Sequence, residues 1–167
     1  MNFIKNLFKE EQYILVTPYS QKEAIEIISE NMEEGLSILS SMGIKRGKKF
    51  LGYAWDTKFK LTYNDKIRMV SIDGVYIESD SPVINVTVKV AKQLGIMLIP
   101  FLVIIIAVPL STLLSSKPMN KLAILFEIIF IAFFALNALS LMRRVMKGKQ
   151  KALEVLIMLL KAEVKKV

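Results

Sequence analysis

Two apolar stretches, Leu94–Leu114 and Leu122–Met142, limit what this chain can fold into more than any other feature. Each is 21 residues long, and Glu127 is the only charged residue in either. A helix of that length reaches roughly 30 Å, the thickness of a bilayer's hydrocarbon core. Only Ser115–Lys121 separates the two runs, which leaves room for a tight turn and little else. The pattern predicts a transmembrane helical hairpin over 93–142, with the rest of the chain on one side of the membrane.

The charge distribution supports this division. The chain carries a formal +8, yet residues 1–90 hold 12 basic and 12 acidic residues and balance. Residues 91–167 hold 11 basic and 3 acidic residues and supply the whole excess. Arg143, Arg144, Lys147, Lys149 and Lys151 follow the second run at once, whereas the turn offers only Lys117 and Lys121. The positive-inside rule therefore places both termini in the cytoplasm of an integral membrane protein. The five basic residues are expected to contact anionic lipid headgroups, and nucleic acid is not an expected partner.

Four residues within the runs depart from apolar filler. Pro100 and Pro109 each remove a backbone hydrogen bond from the first helix and mark sites for a bend or hinge. Glu127 costs about 2.5–3.5 kcal/mol if it lies at mid-bilayer, although its place nine residues after Pro118 makes it shallower. Asn137 lies about 280° further round that helix and is expected to hydrogen-bond to another helix.

The first ninety residues read as a small cytosolic α+β domain over 1–92. Ser20 and Glu23 form a capping box, and Ala24, Ile28, Met32, Leu36 and Leu39 recur at helical steps, which predicts a helix over about 20–43 ended by Gly43. The period then becomes alternating over about 48–90, predicting four or five antiparallel strands in a meander. The expected joints are Asp56-Thr57, Asn64-Asp65, Asp73-Gly74 and Ser79–Pro82. A further strand is expected over Tyr13–Thr17. Tyr53, Trp55 and Tyr63 suit sheet packing better than a ligand-stacking platform. Residues 143–167 read as a basic amphipathic helix with Leu153, Leu156, Ile157, Leu159, Leu160 and Val164 on its apolar side. That helix suits the membrane interface, a partner, or the protein's own domain.

Chemistry is harder to find. The chain has no Cys and no His, which excludes thiol chemistry and the commonest general base and metal ligand. No phosphate-binding glycine loop and no nucleophile–base pair occurs, and no cofactor or metal is expected. Met1–Glu10 lacks the apolar core of a signal peptide. These features point to a non-enzymatic, membrane-anchored adaptor or regulatory subunit whose cytosolic domain binds a protein partner. The alternative is a homo-oligomeric pore or permeability effector, in which Pro100, Pro109, Glu127 and Asn137 would line or gate the path.

Overall fold

Strand pairing dominates the first part of the chain. A computed structural model describes residues 7–34, 48–64, 69–77, 82–91, 93–114 and 121–166. It contains seven strands: β1 (Glu11–Val16), β2 (Met32–Glu34), β3 (Phe50–Ala54), β4 (Lys58–Tyr63), β5 (Val70–Ile77), β6 (Val83–Val90) and β7 (Glu163–Lys166). Its helices are α1 (Gln21–Glu30), α2 (Gln93–Leu114) and α3 (Lys121–Leu160). The fold is mixed α+β, with one sheet in the order β2-β3-β4-β5-β6-β1-β7. All neighbours pair antiparallel except β2 and β3, which run parallel. The chain divides into two units, residues 1–91 with 145–167, and residues 92–144.

The strands alternate as the sequence predicts, and their inward positions form the core of the first unit. Phe50 pairs with Tyr63, Leu61 with Ile72, and Ile72 with Val88, so one face collects Phe50, Phe59, Leu61, Val70, Ile72, Ile84, Val86 and Leu15, all buried. At roughly 1.5–3 kcal/mol per buried large apolar side chain, this face provides the main stabilisation of the sheet. Helix α1 adds Ala24 and Ile28 to the buried set. The expected capping box is present: Ser20 Oγ accepts from the Glu23 amide, and Glu23 accepts from the Ser20 amide at 2.8 Å.

Helix α1 is shorter than its periodicity predicts. The Asn31 amide and side chain close the last turn against Ile27, and its carbonyl accepts from the Lys49 and Phe50 amides. Met32 is then buried in a strand beside β3 instead of on a helix. Tertiary pairing with β3 overrides the local helical pattern here. Leu36, Leu39 and Gly43, assigned by sequence to the same helix, lie outside the described residues, as do Asp65 and Ser79–Ser81.

Asp73-Gly74 is a second correction, because it is no turn. Strand β5 runs straight through, with Gly74 between Phe59 on β4 and Val86 on β6. A β-carbon at Gly74 would sit 2.0 Å from Phe59 Cζ. The glycine is there to make room for that ring. The Asp56-Thr57 joint does turn, and the Trp55 amide donates to the Lys58 carbonyl at 2.7 Å across it.

The last part of the chain also departs from expectation. Residues 143–167 are not a separate amphipathic helix: α3 continues unbroken from the apolar run to Leu160, and Glu163–Lys166 pairs with β1 as β7. Within the first unit, Val145, Lys149, Ala152, Leu156 and Leu160 form a buried stripe at three- and four-residue steps. Lys149, 3% exposed, donates to the Lys9 carbonyl at 2.9 Å and pairs with Glu11 at 2.5 Å. Glu11 occupies the same sheet face as Tyr13 and Leu15, so the stripe runs beside β1 on the inward side of the sheet. At the other end of the segment, Thr17 Oγ1 donates to the Leu160 carbonyl at 2.7 Å.

Burial raises the Glu11 carboxyl, but hydrogen bonds from Lys149 and Tyr13 and the charges of Lys149 and Lys9 outweigh it. The group is held below its ordinary value of 4.5. Burial and the adjoining carboxylate push Tyr13 up to about 12. A carboxylate whose pKa is lower folded than unfolded stabilises the fold above the unfolded value, and that contribution is lost as pH falls through the folded one. The first unit is therefore expected to lose stability on acidification below 4.5, and Glu11→Gln to remove part of that slope. Melting curves of the full chain in neutral detergent, taken between about pH 3 and pH 6, test this.

The second unit holds α2 and the first part of α3. Both helices are long and apolar enough to span a membrane. Phe101 and Phe134 meet with ring centroids 5.9 Å apart, and each lies thirteen residues from the end of its helix nearest the connection.

Candidate functional site

The outward positions of the sheet alternate with the core and form an open face. Neighbours across it follow the register: Tyr53 beside Lys60, Lys60 beside Asp73, Lys58 beside Val75, and Ile77 beside Val83. Trp55 continues the outward alternation of β3 into the turn. Tyr53 is 36% exposed and Trp55 46%, and their rings stack at 5.9 Å with 29° between planes. Val75 and Ile77 are also exposed. Lys58 Nζ lies 5.5 Å from the Trp55 ring centroid, a cation–π distance.

This tip is held on two sides. The Tyr76 amide donates to the Thr57 carbonyl at 2.8 Å, and the Gln21 side chain donates to the Asp56 carbonyl. Strand β5 and helix α1 thus fix the hairpin, and its aromatic surface needs little ordering before it binds anything. Charge on this face is uneven. Asp73 pairs with Lys89, whereas Lys58 and Lys60 are exposed and make no ion pair among the described residues. Tyr63 is not part of the platform: it is buried in the core, 5.9 Å from the Phe50 ring.

The position of the tip within its unit is also defined. The unit joins the rest of the chain after Ala91 and before Val145. Val90 ends β6, and Lys149 reaches Glu11, which pairs with Val88. Both junctions therefore lie at one end of the sheet. Val75 and Ile77 pair with Asn85 and Val83, at the opposite end.

The polar residues noted within the apolar runs are dispersed. Pro100 and Pro109 are both inside α2, which is continuous across them. Glu127 is half-buried on α3. Asn137 donates to the Phe133 carbonyl at 2.8 Å, one turn back on its own helix, rather than to another helix. Arg143, Arg144, Lys147 and Lys151 are exposed on α3, while Lys149 spends its charge inside the first unit and is withdrawn from any lipid surface. Among the described residues, no three carboxylates, histidines or cysteines converge as a metal site would require.

The outward aromatic pair was visible in the sequence as alternation at Tyr53 and Trp55. Lys58, Lys60, Val75 and Ile77 were not recognisable as its neighbours, because that needs the register of three strands and the straight course of β5. The architecture is a sheet unit with one face in the core and the other exposed around Tyr53, Trp55, Val75 and Ile77, in a chain that also carries a pair of long apolar helices. No protein family, curated protein or solved structure matches the chain.

Proposed function

We propose that this protein is a non-enzymatic, membrane-anchored adaptor or regulatory subunit. In this reading α2 and α3 anchor it in a bilayer with both termini cytoplasmic. Arg143, Arg144, Lys147 and Lys151 contact anionic headgroups, and the sheet unit holds a protein partner at the membrane surface. The observation that carries the reading is the open face: ordered, exposed Tyr53, Trp55, Val75 and Ile77 on a fixed hairpin tip. Surfaces of this kind, aromatic at the centre with polar neighbours, are where protein interfaces concentrate their binding energy.

The test is the composition of the complex extracted gently from its native membrane. The full chain is expected to co-purify with a different protein at fixed ratio, and Trp55→Ser to lose that partner while the chain stays in the membrane. A discrete homo-oligomer that carries ions across liposomes, with flux altered by Glu127→Gln, would overturn the adaptor reading in favour of a pore.

A further inference from the structure

The open face carries more information than its apolar character. Among the described residues, Lys58 and Lys60 border the Tyr53–Trp55 stack without an ion pair, and the acid on the next strand, Asp73, is engaged by Lys89. We infer that this face recognises an acidic segment of a protein partner. Carboxylates meet Lys58 and Lys60, and aliphatic side chains meet Trp55, Val75 and Ile77. The inference rests on the adaptor reading and specifies its partner by charge.

Aromatic rings beside lysines also suit the headgroup region of a bilayer. Two features favour a protein. The tip lies at the end of the sheet opposite both junctions, roughly 23 Å along β6 at about 3.3 Å per residue. The exposed basic residues nearest the apolar run are instead Arg143, Arg144, Lys147 and Lys151 on α3. Lipid contact and partner contact thus have separate sets of cations.

Trp55 is the only tryptophan in the chain and reports on its own site. The full chain in phosphatidylcholine vesicles would be titrated with a ten-residue peptide of alternating Glu and Leu, and separately with the Lys-for-Glu version. The acidic peptide is expected to shift Trp55 emission to the blue in a saturable, salt-weakened way. Lys58→Glu with Lys60→Glu is expected to weaken it about tenfold, as reversal of charges bordering an interface does. Both lysines are exposed, and Lys58→Gln with Lys60→Gln, expected to give an intermediate loss, guards against misfolding. Equal response to the basic peptide would overturn the charge assignment while leaving an apolar adaptor site. A blue shift in phosphatidylserine vesicles without peptide, and none with peptide, would assign the face to lipid. No response to any probe, together with unchanged co-purification in Trp55→Ser, would overturn the site itself.

Discussion

Leu156→Asp is expected to unfold the sheet unit, although residue 156 lies on the helix that begins as an apolar run. Leu156 is 0% exposed, in the stripe of α3 that runs beside β1 on the inward side of the sheet. Truncating a buried leucine costs about 2–5 kcal/mol, and an unpaired buried carboxylate adds to that. The total rivals the 5–15 kcal/mol that holds a typical domain together. Met158, two residues on and 67% exposed, is the control: Met158→Asp is expected to change stability by no more than about 0.5 kcal/mol. Hydrogen exchange of the β1 and β6 amides in the full chain reads both. If residues 145–160 only lay on a membrane or a partner, Leu156→Asp would release them and leave β1 and β6 protected.

The second large effect is expected at Gly52. Its φ is +156°, and a β-carbon there would lie 2.0 Å from the Lys60 carbonyl oxygen and 3.0 Å from Leu61 Cα. Both obstacles are backbone of the paired strand, since Gly52 sits opposite Leu61. Relief would require β3 and β4 to part. Gly52→Ala is therefore expected to cost about 3 kcal/mol or more, from the unfavourable φ and the collision together. Gly74→Ala meets an equally short contact, but with the tip of the Phe59 ring, which can be shortened. Phe59→Leu is expected to recover part of the Gly74→Ala loss and none of the Gly52→Ala loss. Thermal melts of the four variants decide this, and equal rescue at both glycines would show that the collision at Gly52 is not what makes it necessary.

The sequence readings that succeeded depended on periodicity and on local chemistry. The two apolar runs, the Ser20–Glu23 box, the strand near Tyr13–Thr17 and the Asp56-Thr57 turn all follow from residues within a few positions of one another. The failures at Asp73-Gly74, Met32 and Lys149 involve partners further away in the chain. Asp73-Gly74 has the composition of a hairpin, but Phe59 across the sheet is what requires the glycine. Met32 continues a helical stripe until β3 offers a parallel partner. Lys149 looks like one more cation beside a membrane, because nothing nearby announces Glu11, 138 positions earlier. The exposed face was half legible: alternation turns Tyr53 and Trp55 the same way, but only strand register puts Lys58 and Val75 beside them.

The buried stripe of α3 has a consequence for how the protein is made. Lys149 bonds a carbonyl 140 residues earlier, and Leu160 accepts from a hydroxyl 143 residues earlier. Most of the sheet's own contacts are available once β6 has been synthesised, yet the part of its inward side beside β1 waits for residues 145–160. In the interval the chain must complete two long apolar helices while an apolar sheet surface stands open to whatever else is present, a condition that favours aggregation. Completion of the sheet unit therefore waits on synthesis of both apolar helices. A defect in either step is expected to appear first as degradation of the newly made chain, before any mature protein loses activity.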